Sequence, residues 1–205
     1  MLAYSSIAHA GFILVAIAAG TDQGASAMLF YLLAYTLATF GAFAIIIVLS
    51  RGDAAVTTDD VSGLWSVRPW LALGMTVFML ALMGFPIFGG IGFFAKWYVL
   101  KAALQAPEPQ TLLAVVLVLT TVISAGYYLY VIMVMFMRPR REDAMPVGAT
   151  PAWTQFVMVA AAATILILGV LPEMTVRYAS VGVPRRGASP EIAKIVPPQI
   201  AAPVR

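Results

Sequence analysis

The chain has 205 residues, of which 62% are hydrophobic and only 10% are charged, where a soluble domain of this length carries roughly 45–50% and about 25%. Its charges cluster between long apolar runs. The net charge of +3 therefore describes basic loops and a basic tail rather than a nucleic-acid surface. With no cysteine and one histidine, thiolate-held zinc, cysteine-held iron–sulfur clusters, disulfides and the usual haem ligand sets are all excluded within the chain.

A helix crossing a membrane needs about 20 apolar residues. The first candidate span runs over about residues 3–19 and ends at Gly20-Thr21-Asp22. It begins almost at Met1, with neither the basic leader nor the cleavage site of a signal peptide, so Met1 reads as an internal residue of a longer protein or a false start. The second span covers about 27–49, with no charge between Met28 and Arg51. The loop that follows holds Arg51, Asp53, Asp59, Asp60 and Arg68. Within it Val61, Leu64 and Trp65 stand at helical spacing behind Thr57-Thr58-Asp59, which predicts a short interfacial helix capped there.

From Pro69 to Leu104 the chain is almost wholly apolar but is interrupted by Gly84-Phe85-Pro86-Ile87-Phe88-Gly89-Gly90-Ile91-Gly92. An unbroken helix over 70–104 would be roughly 50 Å long, well beyond a hydrocarbon core of about 30 Å. The segment is short for two full spans. Two readings remain: one span with its helix broken around 84–92, which the length favours, and a tight hairpin between two short helices. Broken backbone at membrane depth needs shelter by protein or by a polar cavity, which makes this stretch a functional candidate. The glycines lack the strand before them and the Lys-Ser/Thr after them that a nucleotide loop requires.

Two more spans follow, at about 110–137 and 153–171, separated by a loop that opens with Arg138-Pro139-Arg140-Arg141. If the interrupted segment crosses once, this loop and the one at 51–69 share a side and together hold Arg51, Arg68, Arg138, Arg140 and Arg141, which points to that side as cytoplasmic, although the tail places Arg177, Arg185, Arg186, Lys194 and Arg205 on the other. The division is therefore a transmembrane part over 1–173 and a polar, proline-rich tail over 174–205, expected to be disordered.

Only two strongly ionisable side chains stand inside the apolar segments, His9 and Lys96. A charge at the bilayer centre costs at least about 2.5–3.5 kcal/mol, so such residues mark pathways or partners. Lys96 lies too deep for its stem to snorkel to the interface, unlike Lys101. A half-helix starting near Gly89 or Gly92 would aim the positive end of its dipole into the membrane within about two turns of Lys96. Carbonyls freed around Leu82 to Phe85 could accept from water. Lysine, unlike arginine, can give up its proton, so Lys96 beside a wet break is a candidate proton station. His9 is the residue type most readily switched near neutral pH, or else a packed core residue. Tyr31, Tyr35 and Thr39 fall on one helix face, and Thr120, Ser124 and Tyr127 or Tyr128 on another. Such hydroxyl stripes serve as inter-helix glue more often than as proton wires.

Several phrases are similar to one family. The run Met1-Leu-Ala-Tyr-Ser-Ser-Ile-Ala-His9-Ala-Gly-Phe12 resembles the antiporter-like subunits of respiratory complex I, the NADH–quinone oxidoreductase. Phe30-Tyr-Leu-Leu-Ala-Tyr-Thr-Leu-Ala-Thr-Phe-Gly-Ala-Phe43 resembles the N type (the mitochondrial subunit 2 type), since the related subunits more often carry His and Lys at the positions of Tyr35 and Thr39. Leu80-Ala-Leu-Met-Gly-Phe-Pro86 through Gly92-Phe-Phe-Ala-Lys96-Trp-Tyr98 resembles the family's broken-helix motif, with Ile87 where a second proline is usual. Gly126-Tyr-Tyr-Leu-Tyr130 resembles the next helix, with Tyr130 at a frequent arginine position, and the likeness runs to about residue 172.

The resemblance implies an all-α, polytopic membrane bundle in which this chain supplies about five spans, one of them discontinuous. It implies proton translocation coupled to NADH oxidation and quinone reduction, with the other membrane subunits of the complex as partners. NAD, FMN, iron–sulfur clusters and quinone would then sit in other subunits, with no cofactor or metal here. It further implies a multi-pass location in the cell's inner membrane. Lys96 and His9 become proton-relay candidates, supported by Gly84, Pro86, Gly92, Tyr35, Thr39, Ser124 and Tyr127. Further proton-path groups of the family lie upstream of Met1, so the isolated chain is expected to be inactive. Two other readings remain, a subunit of a multi-subunit cation/proton antiporter or membrane-bound hydrogenase, and a non-conducting structural fragment.

Overall fold

The computed structural model describes residues 1–50, 56–86, 90–140, 150–172 and 179–180, and among these all regular structure is helical. The elements are α1 (Leu2–Ala18), α2 (Asp22–Leu49), α3 (Leu64–Val67), α4 (Pro69–Met83), α5 (Gly90–Leu104), α6 (Thr111–Met137) and α7 (Ala152–Val170). Three of them, α2, α6 and α7, are long and apolar enough to cross a membrane alone. With 17 residues, α1 lies at the lower end of the crossing length. The 15-residue α4 and α5 each reach only about 22 Å and cannot cross separately.

Contacts along α2 settle how α4 and α5 combine. Near the start of α2, the Phe30 ring meets Tyr98 of α5 at 5.5 Å. Midway, Ala34 and Ala38 face Ala81, Gly92 and Lys96 around a small cavity. Further on, the Phe78 ring of α4 fills the notch left by Gly41, and Ile45 packs at Gly74. The order 98, 92, 81, 78, 74 falls steadily as α2 is followed forward. Both half-helices thus run in one direction, antiparallel to α2, and make a single crossing with a break in its middle. The hairpin alternative is excluded.

The remaining helices alternate in the same way. Antiparallel to the broken helix, α6 starts where the Gln110 N–H donates to the Ala103 carbonyl near the end of α5 at 2.9 Å, and near its own end Phe136 stacks on Trp65, just ahead of α4, at 5.1 Å. With Met158 near Gly74 and Gly169 against Gly90, α7 runs parallel to the broken helix. The chain therefore crosses five times, and the loops after α2 and after α6 share a side, which gathers Arg68, Arg138 and Arg140 there.

Packing within the bundle rests on close fit, since lipid offers apolar groups no less than a neighbouring helix does. Phe30, Ile45, Phe78, Met79, Ile91, Val99 and Tyr128 fill its centre. Ile7, Leu14, Phe40, Ile47, Ile123, Trp153 and Val159 point outward, an apolar exterior that water would not tolerate. The chain is a multi-pass membrane protein. Gly41 and Ala42, small enough to allow close helix approach, are used inside this chain, with the Phe78 ring against Gly41.

The loop before the broken helix departs from expectation. The short helix does not start behind Asp59; turns occupy 58–63, and α3 begins only after Gly63, whose φ is +60°. The Asp60 carboxylate reaches backward, accepting from the Thr57 backbone N–H at 2.8 Å and its hydroxyl at 2.7 Å. The Asp60 and Ser62 carbonyls accept from the Arg140 Nη1 at 2.7 and 3.3 Å instead of feeding a helix. The Gly63 N–H donates to the Val134 carbonyl at 3.2 Å, so the loop is clasped to the end of α6. Arg51, Asp53 and Arg141 lie outside the described residues, as does the expected tail apart from residues 179–180.

Candidate functional site

A helix end leaves its last carbonyls without intrahelical donors. At the end of α4 the carbonyls of Leu80 and Ala81 are recovered locally. Gly84 turns into the left-handed region (φ +81°), its N–H donates to Leu80 and Ala81 at 2.9 and 3.1 Å, and the Phe85 N–H donates to Leu80 at 2.9 Å. This is the glycine-terminated helix cap in which the chain reverses without a Cβ clash. It leaves the carbonyls of Leu82 and Met83. Both are taken by Lys96, whose Nζ donates at 3.1 and 2.8 Å. The side chain of Lys96 thus bridges the gap that its own half-helix leaves open.

This arrangement needs α5 to start pressed against α4. Gly92 supplies the space: a Cβ there would lie 1.8 Å from the Ala81 carbonyl oxygen. On a helix the side chain leans toward the N-terminus, which carries the Lys96 amine back to the break. Lys96 is only 7% exposed. Its amine lies between the two half-helix ends and, among the described residues, hydrogen-bonds with the α4 carbonyls, so it meets the negative end of a helix dipole as well as the positive end that the sequence suggests. The freed carbonyls, expected to hold water, hold the lysine itself.

Beside Lys96 lies a cavity of about 10 Å³, lined by His9, Tyr31, Tyr35, Ala38, Leu82 and Gly92 among others. That is close to the room one water needs. His9 lines it too and is held by three tyrosines. Its Nδ1 pairs with the Tyr31 hydroxyl at 2.6 Å and its Nε2 with the Tyr128 hydroxyl at 3.0 Å. The Tyr35 ring stacks on it at 4.7 Å. The Tyr128 hydroxyl also hydrogen-bonds with Ser5. A neutral imidazole has one donor and one acceptor nitrogen, so one tyrosine donates to it and the other accepts. The run Ser5–Tyr128–His9–Tyr31 can be oriented in either sense, and a proton arriving at one ring nitrogen can leave from the other.

The transmembrane family described as NADH:quinone oxidoreductase/Mrp antiporter matches residues 1–124, a stretch that includes His9, the break and Lys96. The chain belongs to this family. Among its relatives, NADH-quinone oxidoreductase subunit N of Gemmatimonas aurantiaca is 58% identical over 173 residues, which are 84% of this chain and 33% of that protein. Subunit N of Trichlorobacter lovleyi is 43% identical over 180 residues, 87% of this chain and 36% of its own length. A chain of respiratory complex I from Thermus thermophilus with bound aureothin superposes with a TM-score of 0.73 at 36% identity, covering 86% of this chain and 38% of that one. The chain spans about a third of the length of the relatives it matches.

Within this member of the NADH:quinone oxidoreductase/Mrp antiporter family, the predicted residues separate into two groups. Lys96, His9, Gly84, Gly92 and Tyr35 meet at one place, with Pro86 in the turn that follows the α4 cap. Thr39 lies one turn beyond Tyr35, and its buried hydroxyl makes no hydrogen bond. Ser124 donates to the Thr121 carbonyl of its own helix at 2.8 Å. Of the tyrosine pair on α6, Tyr128 reaches His9, while Tyr127 packs on the Tyr128 ring at 4.5 Å. Tyr31 and Tyr128, seen in the sequence only as members of hydroxyl stripes, are the direct partners of His9. Sequence reasoning passed over Ser5 and Phe12, although they stand four before and three after His9 and so share its helix face.

Proposed function

We propose that this chain forms part of an N-type membrane subunit of an NADH–quinone oxidoreductase and takes part in its proton translocation, with Lys96 as the proton-carrying group. The observation that carries the proposal is the buried Lys96 amine, which ties up the two free carbonyls of a helix broken at membrane depth and faces His9 across room for one water. An ammonium has three N–H donors and a neutral amine has two. Both carbonyl bonds can therefore survive loss of one proton, and the break keeps its partner in either state. The proton lost from Lys96 passes to water in the cavity and on to the Tyr31 hydroxyl. That hydroxyl gives its own proton to His9 Nδ1, and the ring releases one from Nε2 to Tyr128, which stands on Ser5. Each hydroxyl gains one proton and passes one on, the last leaving Ser5 for the cavity it lines with Ser124 and Tyr127, and the imidazole returns to neutral.

The chain itself contributes no redox centre in this reading. Without cysteine it cannot hold thiolate-bound clusters, and NAD, FMN, iron–sulfur clusters and quinone belong to other subunits. Its partners are the other membrane subunits of that enzyme and the lipid around it. Support comes from relatives that bear the subunit N name and from Tyr35, whose ring stacks on His9 where related subunits more often carry a histidine.

The test is proton uptake by membrane vesicles driven by NADH oxidation, normalised to assembled enzyme. Lys96→Met is expected to assemble and to lose most of its proton uptake. Lys96→Arg is expected to lose it as well, because a guanidinium keeps its proton. Lys101→Met, altered in the exposed last turn of α5, is expected to match wild type. Wild-type uptake by Lys96→Met would overturn the role.

A further inference from the structure

Two of the three donors of the Lys96 ammonium are accounted for by Leu82 and Met83. Among the described residues the third finds no carbonyl or hydroxyl. Instead the Nζ stands over the ring of Phe12, 5.2 Å from its centroid, within the range at which an aromatic face attracts a cation. Phe12 is 4% exposed and comes from α1, one turn beyond His9. Its ring also meets the His9 ring nearly at right angles, at 5.8 Å and 79°, and the Tyr31 ring in the same manner at 6.0 Å and 72°. On its other side it lines an apolar groove between α1 and α6, with Gly11, Val15 and Leu117. Phe12 does not line the water-sized cavity, whereas Lys96 lines both that cavity and a cleft against α6 with Gly84, Leu100 and Thr121.

We propose that Phe12 is the positioning residue for the Lys96 ammonium: its ring face attracts the cation that the two carbonyls of the broken helix hold, and so fixes the charged amine beside the cavity shared with His9. The inference rests on the proton-carrying role of Lys96. It deepens that role by naming what distinguishes the charged amine from the neutral one at this site. The two carbonyls serve both states, whereas the aromatic face is attracted only by the cation. Phe12 therefore bears on the state that changes during transport, and its contact with the His9 ring fixes the geometry between the two titrating groups without offering a proton path of its own.

Stepwise fluorination of the Phe12 ring in the assembled enzyme tests this, because fluorine withdraws charge from the ring face while barely changing its bulk. Proton uptake per NADH oxidised is expected to fall with each added fluorine, reaching a loss of about thirtyfold for the most fluorinated ring, the change a desolvated cation–π contact sets. Phe12→Leu, apolar but without an aromatic face, should behave like the most fluorinated ring, and Phe12→Tyr should retain uptake. A merely structural role would leave the fluorinated series flat, and a flat series with Lys96→Met defective would overturn this inference alone. Wild-type uptake by Lys96→Met would overturn the reading beneath it as well.

Discussion

Lys96 donates to the Met83 carbonyl at 2.8 Å across a break in the backbone, so a side chain of one half-helix completes the end of the other. The two residues are held in that relation by the chain reversal at Gly84 and by the close approach at Gly92, and each of these can be tested separately.

Gly84→Ala should weaken the site twice over. Its φ of +81° suits glycine, and an L-residue there costs about 1–2 kcal/mol. The new Cβ would also lie 3.1 Å from the Lys96 Cδ, displacing the amine from its carbonyls. The thermal midpoint of the solubilised assembly is expected to fall together with proton uptake.

Gly92→Ala should be more severe, because its Cβ would overlap the Ala81 carbonyl oxygen, which cannot move without unwinding α4. Loss of assembled subunit from the membrane is the expected result, read by immunoblot against wild type. Gly126→Ala is the control. Nothing lies within 4 Å of its Cβ position, so the helix should gain up to about 1 kcal/mol or show no change.

Replacing the hydroxyls around His9 should separate conduction from packing. Tyr31→Phe and Tyr128→Phe each remove a hydrogen bond to the ring, worth about 0.5–1.5 kcal/mol, and each should cut proton uptake. Tyr35→Phe keeps the ring that stacks on His9 and should pump close to wild type, while Tyr35→Leu should not. Uptake rates in vesicles, with NADH oxidation recorded in parallel, distinguish these outcomes.

Arg140→Ala should loosen the loop without touching the site. The Asp60 and Ser62 carbonyls lose their shared donor, and hydrogen exchange over residues 57–63 is expected to speed up about tenfold, equivalent to roughly 1.4 kcal/mol of lost local protection. Proton uptake should be unchanged.

The spans, the break and its two key ionisable groups are legible in the sequence because each depends on composition along one segment. Long charge-free runs fix the helices, Gly84 to Gly92 fixes the interruption, and a lysine far from either loop has nowhere to snorkel. What joins segments is not legible. The pairing of His9 with Tyr128 brings together residues 119 apart in the chain, and no periodicity distinguishes Tyr128 from Tyr127 until α6 is rotated against α1. Phe12 looks like any core aromatic until α5 delivers a cation to its face. The helix expected behind Asp59 fails for a related reason: the donor that claims the Asp60 carbonyl is Arg140, 80 residues away.

The backbones of Gly90 and Gly169 touch directly, since a Cβ on either residue would lie within 2.7 Å of the other's Cα. With no side chain between them to compress or repack, α5 and α7 have no slack at that point, though each can still swivel about it. The first turn of α5 thus has a fulcrum at membrane depth, two turns from Lys96. A small tilt of α7 would be delivered to the lysine as leverage rather than absorbed by soft packing.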